Sequence, residues 1–63
     1  MSAPASPTYF AALTLAIVTL RSARANAELM NDAQLGRDCE VEIHRLESKR
    51  EAVENALQQF GGS

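Results

Sequence analysis

The sequence predicts an all-α fold, an antiparallel two-helix hairpin of coiled-coil type that pairs with a second copy to form a four-helix bundle. Proline is confined to residues 4 and 7, and Gly36 is the only glycine before residue 61. Apolar side chains recur at alternating steps of three and four residues, as they do in coiled coils. The 63 residues hold one cysteine and therefore no internal disulfide, so association remains the way to stabilise so small a core.

The first helix is predicted over about residues 7–30. Residues 1–6 combine small residues and proline without hydrophobic periodicity, and we expect them to form an extended arm. Ser6 is a favourable N-cap, and Pro7 suits the first helical position, where its missing N–H is harmless.

The turn is predicted at about residues 31–34, followed by a second helix over about 35–60 and a flexible tail at 61–63. Asn31 and Gln34 have the spacing of a capping box, and an Asp at position 32 suits the helix dipole. The second hypothesis places the break at Gly36, with Asp38 as the next cap. The third hypothesis is one uninterrupted helix in a long parallel coiled coil, because a glycine inside a helix costs only about 1 kcal/mol relative to alanine.

The two helices are expected to meet along a seam of heptad positions. If the chain folds back on itself, residues in contact should have a constant sum of residue numbers, and the pairs from Ala27 with Cys39 to Tyr9 with Leu57 do. Their midpoint is Ala33, which lies in the predicted turn. The predicted seam within the hairpin consists of Tyr9, Leu13, Ala16, Leu20, Ala23, Ala27, Cys39, Ile43, Leu46, Arg50, Val53 and Leu57.

Arg50 is the one charged residue in this seam, opposite Ala16. We expect its aliphatic stem to pack beside Ala16 while its guanidinium reaches Glu47 or Glu54 on the same helix. A polar group at a core heptad position also helps to fix the register of the two helices. The alternative role for Arg50 is contact with a ligand.

The first helix carries a second apolar stripe on its other side, with Phe10 and Ile17 on its shoulder. A helix that is apolar on both sides must be covered on both sides. The predicted dimer or partner interface consists of Phe10, Ala11, Leu15, Ile17, Val18, Ser22, Ala25 and Leu29. A second copy, in either orientation, or a groove or helix of another protein could cover it. The simplest alternative is an ordinary homodimer core with no further binding role.

The charges disfavour nucleic acid as the main partner. Six basic residues stand against eight acidic ones, for a net charge of −2, whereas binding to a phosphate backbone depends on clustered Lys and Arg. An RNA-binding four-helix bundle remains a minority alternative, based on the cluster Arg21, Arg24, Arg45 and Lys49. A possible acidic docking face for a basic protein surface consists of Glu40, Glu47, Glu51 and Glu54, although such a run is commonly only a solvated face.

The apolar segment 8–20 suggests a further alternative, in which the chain is a membrane-associated or exported protein. As a helix it would be about 20 Å long, against about 30 Å of hydrocarbon in a bilayer. Ala23-Arg24-Ala25 resembles a signal-peptide cleavage site, but residues 1–7 carry no basic side chain. Cys39 has no partner cysteine within the chain, which favours a reducing, cytoplasmic location, and a disulfide between two copies is the alternative.

Catalysis, cofactors and metals are not expected. No Ser, Cys or Lys nucleophile is paired with a base, there is no Gly-rich phosphate loop, and His44 has no second nitrogen or sulfur ligand at suitable spacing. The sequence therefore predicts a small non-catalytic protein-binding factor: an inhibitor, adaptor or chaperone of the kind found among bacterial and phage accessory proteins. Its target is expected to contact the acidic second helix or the open end bearing Tyr9, Phe10 and Phe60.

Overall fold

The computed structural model describes residues 6–61, and the side chains of residues 6–59. It contains two α-helices, α1 (Pro7–Leu29) and α2 (Ala33–Gly61), which pack against each other as a hairpin. The all-α hairpin predicted from the sequence is therefore found, whereas its pairing with a second copy remains a prediction. Residues 1–5 of the predicted arm and residues 62–63 of the predicted tail lie outside the described residues, and residue 61 is the last residue of α2.

The start of α1 follows local capping chemistry. Ser6 has an extended backbone, with φ −132° and ψ 153°, and its hydroxyl accepts a hydrogen bond of 3.1 Å from the Tyr9 N–H. Pro7 occupies the first turn, where its ring is compatible with the helix. The N-cap predicted from the sequence is thus confirmed, and it fixes where the helix begins.

The chain reverses within three residues, through a Schellman motif at the end of α1. Asn31 has a left-handed backbone with φ 57°, a conformation that asparagine tolerates better than most residues. Its N–H donates to the Glu28 carbonyl at 3.1 Å, and the Asp32 N–H donates to the Ala27 carbonyl at 2.8 Å. These two bonds satisfy carbonyls that the helix end would otherwise leave unpaired.

Asp32 is the residue that caps α2, which corrects the predicted capping box. Its Oδ1 accepts a hydrogen bond of 3.1 Å from the Leu35 N–H, while Gln34 bonds to the Asp38 side chain at 3.0 Å. Asn31 belongs to the end of α1 rather than to the start of α2. Consequently α2 begins two residues before the predicted position 35. An anionic Asp is well placed at this helix N-terminus.

The buried core runs along the contact between the helices and consists of Leu13, Ile17, Ala27, Cys39, Ile43 and Val53. Every one of them except Ile17 lies in the predicted seam, whose other members are half-buried. Ile17 was expected at the dimer or partner interface, but it is 4% exposed within the hairpin. The reason is that the apolar face of a helix in a globular protein is wider than a strict heptad seam and includes the adjoining position.

Helix α2 continues through Gly36, so the alternative break at Gly36 and Asp38 is not used. A Cβ added at Gly36 would meet nothing within 4 Å. Because Gly in a helix interior is about 1 kcal/mol less favourable than Ala, we expect Gly36→Ala to raise the free energy of unfolding by about that amount. For a domain of this size, the melting temperature would rise by about 4–8 °C.

Thermal unfolding followed by circular dichroism measures this effect. Ala52→Gly, at an exposed position of the same helix, is the matched control and should lower the melting temperature by a similar amount. A lower melting temperature for Gly36→Ala would contradict the expectation that a Cβ at position 36 is accommodated without cost.

Candidate functional site

An exposed, mostly apolar stripe lies on the side of α1 that faces away from α2. We call it the outer α1 face, and it consists of Ala11, Leu15, Val18, Ser22, Ala25 and Leu29. All six residues are exposed, and the three large side chains are 68% (Leu15), 54% (Val18) and 81% (Leu29) exposed. An exposed apolar side chain is common by itself, whereas a continuous apolar stripe on a small domain is a candidate interaction surface.

Helical spacing makes this face continuous. Its members follow one another at steps of three or four residues, which places them on neighbouring turns of one side of the helix. From Ala11 to Leu29 the face extends over about 27 Å at 1.5 Å per residue. The hairpin leaves this side uncovered because the core residues Leu13, Ile17 and Ala27 lie on the side that meets α2.

Phe10 and Ile17, predicted as part of the same interface, belong to the hairpin contact instead. Ile17 is buried, and Phe10 is half-buried beneath the Arg50 guanidinium, whose Cζ lies 4.6 Å from the centroid of the phenyl ring. A cation over an aromatic face at this distance is favourable. The interface suggested by the sequence is therefore reduced by two residues, both of which already contact α2 or lie in the core.

Arg50 links α2 to α1 through a small cluster that sequence reasoning missed. Its Nε–H donates to Thr14 Oγ1 at 2.8 Å, and the Thr14 hydroxyl donates to the Phe10 carbonyl at 3.1 Å. We call Phe10, Thr14 and Arg50 the Arg50 cluster. The predicted partners Glu47 and Glu54 do not pair with Arg50 in the part of the chain that the structure describes.

The predicted acidic docking face is only partly available. Glu40, Glu51 and Glu54 are exposed, but Glu47 forms an ion pair with Arg21 across the hairpin. His44 Nδ1 also lies 3.8 Å from a Glu47 oxygen. The centre of this acidic surface is therefore occupied by a contact within the molecule, and three carboxylates remain directed to solvent.

The predicted basic cluster is also partly neutralised. Arg45 forms an ion pair of 2.8 Å with Glu42, and its hydrogen bond and charge lower the pKa of the Glu42 carboxyl below its ordinary value. With Arg21 held by Glu47, two of the four predicted cations, Arg21, Arg24, Arg45 and Lys49, have a carboxylate partner. Cations that are already paired with carboxylates contribute less to binding a phosphate backbone, so this arrangement does not support the RNA-binding alternative.

An open groove of about 410 Å³ lies beside the turn, between the end of α1 and the start of α2. Arg24 and Glu28 line it from α1, and Gly36, Arg37 and Glu40 line it from α2. Side chains of both charges alternate around it, so the groove offers no single electrostatic preference for a ligand.

In the part of the chain that the structure describes, groups with reactive or metal-binding chemistry are not brought together. Cys39 is a buried free thiol in the hairpin core, and His44 lies on the exposed side of α2. Within residues 6–61, no three His, Cys, Asp or Glu side chains are grouped so that they could hold a metal ion. Over the same residues, neither helix offers an apolar stretch sufficient to cross a lipid bilayer. The side chain of Phe60, which was predicted at the open end, is not among the side chains of residues 6–59 that the structure describes.

Comparison with known proteins identifies no relative of this chain. No protein-family model, no curated protein and no solved structure matches it. A function is therefore inferred from the surfaces of the two helices themselves, among which the outer α1 face carries three exposed large apolar side chains.

Proposed function

We propose that this chain is a non-catalytic protein-binding factor that acts as a homodimer, with the outer α1 face as the dimer interface. The observation that carries the proposal is the exposure of Leu15, Val18 and Leu29 on the side of α1 opposite α2. The hairpin removes only one apolar side of this helix from water. A second copy presents the same apolar stripe, and a two-fold symmetric contact uses one surface twice.

The size of the face supports a weak dimer. A stripe of about 27 Å by about 10 Å on each copy gives on the order of 500 Å² for the pair. At roughly 25 cal/mol per Å² this contributes on the order of 13 kcal/mol, against an association cost of about 4–15 kcal/mol. Interfaces below about 1,200 Å² are characteristic of weak or transient complexes. The difference between the two free-energy terms reaches about −9 kcal/mol only at the lowest association cost, so we expect a dimer that dissociates on dilution between the millimolar and the micromolar range.

The α2 helices would then lie on the outside of the four-helix assembly and meet the target protein. Glu40, Glu51 and Glu54 are exposed on α2, and in the dimer each copy adds the same three carboxylates. Charges of this kind steer a basic partner toward the surface and set its rate of association more than its affinity. Target binding should accordingly weaken as salt is added.

Leu15→Glu tests the proposed dimer interface. Placing a carboxylate in an apolar contact leaves it desolvated, so we expect self-association to weaken by more than about tenfold, a free-energy change above about 1.4 kcal/mol. Val18→Glu should act in the same way. Sedimentation velocity across the micromolar range measures the dimer fraction of each protein.

Ser48→Glu is the matched control, because Ser48 is exposed on α2 away from the outer α1 face. It should leave self-association unchanged, and circular dichroism should show that all three variants remain helical. A wild-type protein that stays monomeric up to millimolar concentration, or a Ser48→Glu variant that dissociates as readily as Leu15→Glu, would contradict the proposed interface.

A further inference from the structure

We infer that the second copy docks in the antiparallel direction, with the two-fold axis crossing the outer α1 face between Val18 and Ser22. This inference rests on the proposed function, since it specifies how the two outer α1 faces meet. Two properties of the described residues carry it, the spacing of the face and the sizes of its side chains, and the ion pair beside its midpoint is compatible with it.

The spacing of the outer α1 face is the same when it is read from either end. Its steps are four, three, four, three and four residues. A two-fold rotation about the midpoint therefore places each position of one copy opposite a position of the other. The contact then pairs Ala11 with Leu29, Leu15 with Ala25, and Val18 with Ser22 of the second copy.

In this arrangement every large side chain faces a small one. Leu29, Leu15 and Val18 are the bulky members, and each lies opposite Ala or Ser. Alternation of large and small residues across a helix contact gives interdigitated, close packing. Because the bulky members are exposed in the hairpin, they can enter the space that the small residues of the second copy leave.

A parallel dimer would lack this complementarity. Each residue would then face its own counterpart, so that Leu15 meets Leu15 and Ala25 meets Ala25. The leucine layers would hold the helices apart, and the layers of Ala and Ser would leave gaps. Gaps of this kind forfeit dispersion contacts along the interface. The size pattern thus favours the antiparallel direction.

The ion pair between Arg21 and Glu47 removes an obstacle to the same arrangement. Arg21 is next to the midpoint of the outer α1 face, so the two copies of Arg21 approach each other beside the two-fold axis. Like charges at this position would repel. Each Arg21 is already paired with Glu47 of its own α2, which compensates the charge before the copies meet.

Cysteine cross-linking distinguishes the two directions. In a Cys39→Ala background, A25C alone would place its two thiols about 15 Å apart along the antiparallel dimer, at 1.5 Å per residue. A disulfide requires Cα atoms within about 7 Å. We therefore expect neither A25C nor L15C to cross-link alone on mild oxidation, whereas an equimolar mixture should form the mixed disulfide, identified by its intact mass.

The opposite cross-linking pattern would overturn the antiparallel arrangement. A parallel dimer brings A25C to A25C and L15C to L15C, and it forms no mixed product. In that case the proposed dimer interface would stand and only its direction would be wrong. If the Cys39→Ala background and the wild type both stay monomeric at all concentrations, that result would instead contradict both the direction and the proposed function.

A size exchange provides a second measurement that needs no cysteine. Ala25→Leu puts two bulky residues opposite each other in the antiparallel dimer and should weaken self-association by about tenfold or more. The double variant Leu15→Ala/Ala25→Leu restores a large residue opposite a small one and should recover most of the affinity. Tighter association of Ala25→Leu, as a parallel layer of leucines would give, would contradict the inference.

Discussion

Ile43→Ala is expected to lower the free energy of unfolding by about 2–5 kcal/mol, the cost of removing a large aliphatic side chain from a packed core. Ile43 is 3% exposed near the middle of the hairpin contact. A chain of this length has a total stability of only about 3–9 kcal/mol at typical values per residue. The substitution therefore removes a large share of the stability, and the midpoint of denaturation of the variant should lie well below that of the wild type.

Val41→Ala is the matched control for this result. Val41 lies two residues earlier on α2 and is 65% exposed, so its truncation should change the unfolding free energy by less than about 0.5 kcal/mol. Urea denaturation followed by circular dichroism measures both variants, at one protein concentration because self-association adds to the apparent stability. Equal losses for the two substitutions would contradict the assigned core.

Arg50→Ala is expected to cost about 2 kcal/mol of stability. It removes a hydrogen bond from a charged donor to Thr14 and a cation–π contact with Phe10. The first is worth about 1.5–3 kcal/mol, and the second about 0.5–1 kcal/mol at exposed sites. Because Arg50 is only half-buried, the loss should lie toward the lower end of their sum.

Arg50→Lys separates the geometry of the Arg50 cluster from its charge. Lysine keeps the positive charge but lacks the planar guanidinium and its Nε–H, so it should recover less than half of the stability lost in Arg50→Ala. Lys49→Ala, at the exposed neighbouring position, should change stability by less than about 0.5 kcal/mol. Full recovery by lysine would show that the charge alone matters.

The role of Arg50 in helix register can be tested by Arg50→Leu. Loss of the Thr14 contact should let the helices shift and should leave the Thr14 hydroxyl without its partner from α2. If Arg50→Leu melts at a higher temperature and keeps the wild-type assembly, Arg50 has no role in register.

A double-mutant cycle measures the contact between Thr14 and Arg50 directly. The cycle of Thr14→Ala and Arg50→Ala should give an interaction energy of about 0.5 kcal/mol or more.

The hairpin could be predicted because its signals are local and repetitive. Ser6 and Pro7 mark one helix start, the absence of further proline allows two long helices, and the heptad spacing identifies residues that face the partner helix. The exposure of Leu15 and Val18 also follows from this spacing. Each of these features depends on residues within one or two turns of one another.

The turn could be located from the sequence, but its capping roles could not. Asn31 and Asp32 are adjacent and are both good caps, so local preference does not rank them. The structure gives Asn31 the left-handed position that ends α1 and gives Asp32 the cap of α2. The backbone groups at the end of α1 and at the start of α2 must both be hydrogen-bonded within three residues, and this requirement decides between Asn31 and Asp32. It applies only when both helices are in place.

Two long helices, their seam and the apolar outer side of α1 follow from helical periodicity along the chain, which assigns each residue to a face. The packing of the two helices against each other is needed to explain why Ile17 is buried, why Arg50 contacts Thr14 and Phe10, and why Glu47 pairs with Arg21. Long side chains have several partners within reach along the sequence. Which partner a long side chain contacts depends on the distance and the rotation between the two helices, and neither helix specifies these alone.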